Sequence, residues 1–271
     1  MKRFVQHIFL AVLVVVGLVP LRTNAQVATS VTPSGFGDRQ FSMDTIYSAK
    51  RIRDDDKMYQ ISVWRRIDLR EKYNLSLYGS GDNKANGIVT QIYKAIVDEN
   101  AFEVFADPEF SKPLSIAQFQ DNFWISANGD SIFSKQLYYL DFKEDFVFDK
   151  HHSQLKFDIK YIELVMPSQT NANAGQKTVG FVRYKDFVNY FKSHPTARWH
   201  NFQNISKSLT YDEAFESRLF RSVVRRFTNP DEALIADLVK SDHPNPEMQA
   251  YLNSLGFEYK LLEFENSLWE W

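Results

Sequence analysis

Between Lys135 and Tyr184 the chain alternates apolar and polar side chains through three successive segments, a pattern that points to an antiparallel sheet. In the first segment, Lys135 to Phe148, the residues Tyr138, Leu140, Phe142, Phe146 and Phe148 recur in rough alternation. In the second, Gln154 to Met166, Leu155, Phe157, Ile159 and Tyr161 alternate with Lys156, Asp158 and Lys160. An Asn/Ala/Gly loop from Gln169 to Gln176 leads into the third, Lys177 to Tyr184. Successive strand side chains point to opposite faces, so these strands predict a sheet with one covered face.

An earlier segment has the same period. Ile61, Val63, Arg65, Ile67 and Leu69 occupy alternate positions and make one face apolar except at Arg65. Trp64, Arg66, Asp68 and Arg70 lie on the other face. A large ring beside arginines suits a protein contact surface, because Trp and Arg are enriched among binding hot spots. The alternative is an ordinary strand whose second face is covered by a helix of its own domain.

Helical signals flank the strands. Ile88, Ile92, Ala95, Ile96 and Glu99 predict a helix, and Ala101 to Ala106 a short strand. Ser115 with Gln118, and Thr210 with Glu213, are capping pairs. Asn128-Gly129-Asp130 marks a turn, and Asp186 to Lys192 a short helix. After Thr210, Phe215, Leu219, Val223 and Phe227 follow at four-residue spacing, which predicts one long amphipathic helix carrying Arg218, Arg221 and Arg225. Asn229-Pro230-Asp231-Glu232 and Asn245-Pro246-Glu247 read as two further helix starts. The fold class is therefore α+β: a central antiparallel sheet with helices concentrated in the C-terminal third.

The first 25 residues read as a signal peptide. Lys2 and Arg3 precede an apolar run from Ile8 to Val19, and Thr23-Asn24-Ala25 ends in small residues before Gln26. The run is shorter than the roughly 20 residues a membrane span needs. Cleavage after Ala25 is expected, followed by a flexible leader over 26–50. The chain has no cysteine, so disulfides, thiol catalysis, cysteine metal sites and a cysteine-linked lipid anchor are all ruled out, and the exported product is expected to be soluble. With 32 Lys+Arg against 34 Asp+Glu the chain is slightly acidic. Removing the signal peptide, which holds Lys2, Arg3 and Arg22 and no acid, makes it more so. That balance argues against a nucleic-acid partner.

Motifs of the common hydrolases and phosphate binders are missing: no Gly-x-Ser-x-Gly, no Ser-x-x-Lys, no His-Glu-x-x-His and no phosphate loop. Asp149, His151 and His152 make the one cluster with metal-binding residue types, but adjacent strand histidines point apart. Glu144 and Asp145 are candidate acid–base carboxylates, as any acidic pair is. No cofactor and no metal site are expected. The residues favour a non-enzyme that contacts other proteins. The 23 Phe, 13 Tyr and 5 Trp fit either a large core or broad contact surfaces.

The stretch Val63-Trp64-Arg65-Arg66-Ile67-Asp68-Leu69-Arg70-Glu71-Lys72-Tyr73-Asn74, with Leu77-Tyr78 after it, closely resembles the opening of the GldN/PorN family. Tyr139 with Lys143-Glu144-Asp145-Phe146-Val147-Phe148-Asp149 is similar to that family's central strand. Arg198, Asn201 and Asn204 resemble the stretch before its late helix. Leu209-Thr210-Tyr211-Asp212-Glu213-Ala214-Phe215, Arg218-Leu219-Phe220-Arg221-Ser222 and Asn229 resemble the late helix and its end. The resemblance divides the chain into a GldN-like domain over 51–240 and a helical extension over 241–271.

The resemblance implies a structural subunit of the periplasmic ring of the type IX secretion and gliding motility machinery. Its implied partners are a GldK/PorK-type outer-membrane lipoprotein, the periplasmic part of a GldM/PorM-type motor subunit, and other copies within the ring. Such a subunit sits in the periplasm at the inner face of the outer membrane. Trp64, Arg65, Arg66 and Arg70 are the candidates for one contact patch; Arg218, Arg221 and Arg225 are the candidates for another. The competing functions are a secreted enzyme acting on cell-wall or surface glycans, and a binding protein for a small ligand.

Overall fold

The structure, a computed structural model, describes residues 52–79, 87–123, 136–168, 175–194, 197–199, 201, 208–239 and 244–268. The signal peptide, the leader, the Asn128-Gly129-Asp130 turn, Trp269 and Trp271 lie outside them.

The alternating segments become strands. β1 is Lys57–Asp68, β4 Tyr139–Asp149, β5 Gln154–Met166 and β6 Lys177–Arg183. The short strands β2 (Val104–Phe105) and β3 (Pro113–Leu114) extend one side, and β9 (Val223–Phe227) extends the other. The result is one seven-stranded antiparallel sheet in the order β3-β2-β6-β5-β4-β1-β9. Two more short strands, β7 (Arg198–Trp199) and β8 (Leu209–Thr210), pair with each other apart from it. The helices are α1 (Leu75–Tyr78), α2 (Ile88–Val97), α3 (Ile116–Phe123), α4 (Tyr184–Ser193), α5 (Tyr211–Glu216) and α6 (Pro246–Leu268). The fold class is α+β, as the sequence pattern predicts.

Both capping pairs appear at helix starts. Ser115 and Gln118 exchange hydrogen bonds, backbone N–H to side chain in each direction, at 3.0 and 3.3 Å. The Thr210 N–H donates to the Glu213 carboxylate at 3.0 Å.

One face of the sheet carries the main core. Ile67, Leu140, Phe142, Ile162, Leu164 and Val182 pack there with Ile88, Ile92 and Ile96 of α2, Phe187 and Phe191 of α4, and Phe215 of α5. Towards β9 the same face meets α6. Val63, Val224 and Ile235 form a smaller cluster with Phe227 and Phe257, whose rings stack at 4.4 Å. Phe264 of α6 lies 4.3 Å from Tyr59 on β1. Among the described residues no helix is long and apolar enough to cross a membrane.

Two expectations fail. The long helix after Thr210 stops at Glu216, and the residues from Val223 form β9 instead. Arg218 takes a left-handed backbone (φ 51°), which ends the helix, and the Leu219 N–H bonds back to Ala214 O at 2.8 Å. Val223 to Phe227 then find a better use: they pair with the free edge of β1 from Val63 to Arg66. Asn229-Pro230-Asp231-Glu232 opens no helix either. The Asn229 side chain closes a turn, accepting the Ala233 N–H at 2.9 Å and donating to Ala233 O and Phe227 O at 3.0 Å each.

Candidate protein interface

Because strand side chains alternate, β1 presents two different surfaces. Trp64 and Arg66 point away from the main core. Cross-strand register assembles two rows on that side. One runs Arg226, Trp64, Lys143, Tyr161, Arg183; the other runs Arg66, Asp141, Glu163, Phe181.

Trp64 is the centre of the first row. The Arg226 guanidinium sits 3.8 Å from its ring centroid and the Lys143 ammonium 5.1 Å away. Both cations meet the electron-rich ring. The indole Nε1–H donates to the Tyr161 hydroxyl at 3.0 Å. Burial pushes the Tyr161 phenol up to about 12, although the Trp64 donor works the other way.

The second row is ionic. Arg66 grips Asp141 with two hydrogen bonds, Nε to Oδ1 at 2.7 Å and Nη2 to Oδ2 at 2.6 Å. Burial is the largest influence and works against the Arg66 charge, but the Asp141 hydrogen bonds and the attraction of Asp141, Tyr139 and Glu163 together outweigh it, so its affinity for a proton rises. Glu163 lies beside Asp141. Burial, with the neighbouring carboxylate, pushes its carboxyl up, while the Thr178 hydroxyl stabilises the charged form.

A bulge brings Arg225 to the same side. Trp64 faces Arg226 and Arg65 faces Val224, so Arg225 is an extra residue in the β1–β9 ladder. A bulge re-aims the side chain it carries. Arg225 and Arg226, neighbours in sequence, therefore line one hollow of about 210 Å³ with Trp64, Tyr161, Glu163 and Leu234. The Arg225 guanidinium makes no hydrogen bond or ion pair among the described residues, although its backbone carbonyl accepts the Ile235 N–H at 2.9 Å. Burial and the nearby Arg66 charge push its guanidinium below the ordinary value. It remains charged, since arginine deprotonates only far above neutral pH. A second hollow, of about 270 Å³, adjoins the first at Pro108 and Tyr161 and is lined by Lys143, Asp145 and Lys160.

The two candidate patches do not survive as drawn. Arg65 points the other way from Trp64 and Arg66. Its side chain is 8 % exposed and is paired with Glu144, which is fully buried, and with Glu258 of α6. Arg218 completes that cluster by donating to Glu144 at 2.7 Å, its guanidinium 4.1 Å over the Phe157 ring. The stripe of Arg218, Arg221 and Arg225 is absent because the helix that would carry it is absent. Arg221 is exposed and bonds the Tyr251 hydroxyl. Arg70 lies past the end of β1, held by two hydrogen bonds from its guanidinium to Asp68 and stacked 3.6 Å over Tyr138. The Asp68 hydrogen bonds push its guanidinium above the ordinary value. The structure thus joins Trp64, Arg66 and Arg225 on one surface, with Arg70 at its edge beside Tyr139, the ring over which Arg66 also lies, and leaves Arg65, Arg218 and Arg221 elsewhere. Arg226, Lys143 and Tyr161 were missed as site residues. Only cross-strand register reveals them.

The carboxylates Glu144 and Asp145 also separate. Glu144 is locked between Arg65 and Arg218, while Asp145 faces the other side and accepts from Ser62 at 2.5 Å and Gln60 at 2.9 Å. His151 and His152 sit in the β4–β5 turn, and His152 Nδ1 lies 2.7 Å from the Asp149 carboxylate. No group of three metal-ligating side chains comes together among the described residues.

The architecture defines the class: an α+β protein on one wide antiparallel sheet, with helices over one face and a ring-and-guanidinium surface on the other. The family follows from the sequence. The family model described as gliding motility associated protein GldN matches residues 52–270, and the chain belongs to the GldN family. The match runs through β9 and α6 to the end of the described structure. No curated protein matches the chain.

Proposed function

We propose that this protein is a structural, non-catalytic subunit of the periplasmic ring of the type IX secretion and gliding motility machinery. In this reading it reaches the periplasm through its signal peptide. It is held at the inner face of the outer membrane by a GldK/PorK-type lipoprotein and contacts a GldM/PorM-type motor subunit.

The observation that carries the proposal is the surface around Trp64. An indole braced by two cations, beside a guanidinium with no acceptor among the described residues, is half-made recognition chemistry. Trp and Arg anchors of this kind dominate binding energy at interfaces. The acceptor for Arg225 would be a carboxylate or carbonyl of the lipoprotein. Ring closure also needs a heterologous contact between unlike patches of successive subunits, and the second hollow, lined by Lys143, Asp145 and Lys160, is offered for that.

The test is co-purification of the exported chain with the lipoprotein. Arg66 is a poor target because its removal strands Asp141. Trp64→Ala with Arg225→Gln touches only half-buried groups. The double variant should keep its thermal midpoint within a few degrees and lose most of the captured lipoprotein. Normal capture by a folded double variant would overturn the assignment of this surface.

A further inference from the structure

The helix α6 is apolar on two opposite sides. Its inner side packs on the sheet: Ser254 Oγ accepts the Val224 N–H at 3.0 Å, Phe257 stacks on Phe227, Glu258 pairs with Arg65, Leu261 is buried and Phe264 meets Tyr59. At 100° per residue, Met248, Leu252, Leu255, Tyr259 and Leu262 fall together on the outer side. Met248 is 53 % exposed, Leu252 50 %, Tyr259 67 % and Leu262 54 %. Surface helices normally put polar residues there.

The spacing of the five is four, three, four, three. That is the seam of a coiled coil, with Leu252 and Tyr259 at one core position of the heptad and Met248, Leu255 and Leu262 at the other. An exposed stripe on the order of several hundred Å² is large enough to mark a contact site. The residues beside the seam choose among partners. Gln249, Gly256 and Glu263 flank one side; Tyr251, Glu258 and Glu265 flank the other. Two copies of α6 side by side in parallel would set Glu258 of each, whose charge Arg65 already partly offsets, against Glu263 of the other, acid against acid. Antiparallel copies avoid this: with Leu252 opposite Leu255 of the second copy, Met248 meets Tyr259 and Glu263 approaches Gln249. Gly256 then lies near its counterpart on the second copy, where the missing side chain lets the helices come close.

From this geometry we infer that α6 pairs with α6 of a second copy of this chain, antiparallel, across a two-fold axis near residues 253 and 254. Such a contact closes on itself and joins two molecules only. It is separate from the heterologous contact a ring requires, and its test stands apart from that of the Trp64 surface.

The chain has no cysteine, so introduced thiols report without background. A mixture of Met248→Cys and Tyr259→Cys proteins should form a mixed disulfide dimer under mild oxidant. Neither variant alone should do so, because its thiols lie about eleven residues, roughly 16 Å, apart along the pair. The unmodified protein should sediment at twice the chain mass. Leu252→Glu, at a site already half in water, should keep the circular dichroism spectrum and raise the dimer dissociation constant by about a hundredfold or more. A monomeric wild type, a dimer indifferent to Leu252→Glu, or self-linking of either thiol variant would each overturn the inference. The second outcome would leave the stripe to some other chain.

Discussion

Replacing Arg65 with methionine should cost about 3 kcal/mol of stability, the lower end of what breaking a buried ion pair costs. The magnitude follows from what is left behind. Glu144 is fully buried and holds Arg65 and Arg218. Without Arg65, a carboxylate sealed from water keeps one partner, and that partner is itself 28 % exposed. Glu258→Gln probes the outer end of the same cluster, where the carboxylate is 31 % exposed and water can take over; it should cost about 1 kcal/mol or less. The double variant Arg65→Met with Glu144→Met removes both buried charges and should recover most of the loss, since hydrophobic replacement of a buried pair is often neutral. Urea unfolding followed by circular dichroism reads these differences. In a domain of this size the single variant should melt about 6–12 °C lower. If Arg65→Met costs under about 1 kcal/mol, or Glu258→Gln costs as much as Arg65→Met, the cluster is not sealed from water. If the double variant is no better than the single, the loss does not come from a stranded charge.

Two further outcomes are expected. Asn74 is buried and ties β1 to the loop before β9: its amide donates to Asp68 O at 2.8 Å and Arg221 O at 2.9 Å, and its carbonyl accepts the Arg221 N–H at 2.8 Å. Asn74→Ala should cost about 2–3 kcal/mol in urea unfolding, and Asn74→Asp at least as much, because it turns a carboxylate towards two carbonyls. At Asp149, burial alone would raise the carboxyl pKa, but hydrogen bonds from Lys156 and His152 hold it well below its ordinary 3.8. A depressed carboxyl stabilises the fold above the unfolded value and loses that contribution as pH falls. The melting difference between wild type and Asp149→Asn should therefore be full at pH 7 and shrink below pH 3.8; a gap that stays constant to pH 2 would refute it.

Local periodicity made the middle of this protein legible. β5 begins and ends where the alternation does, and α2 follows its four-residue spacing, because both bury a stripe against one core. It failed at Phe215 to Phe227 for a stated reason. Residues spaced by four satisfy a strand as well as a helix, and the deciding partner, the edge of β1, lies about 160 residues away. The site was half legible for the same reason. Trp64 and Arg66 declare their face by alternation; Arg65, grouped with them as a contact candidate, lies by the same alternation on the apolar face, where it pairs with Glu144. Arg225 joins Trp64 only through a bulge, and Lys143 only through register, neither of which local spacing encodes.

Sheet order also bears on how the molecule comes into being. The first long strand lies between β4 and β9 and rests on α6, so the start of the domain is shut in by its end. A polypeptide released from its amino terminus onward cannot set early, because the last clasp arrives with the last third of the chain. Pairings this distant in sequence form slowly, and any product cut short before Val223 keeps a raw edge along Val63 to Arg66. Incomplete copies would thus carry an unpaired strand edge open to pairing with another chain.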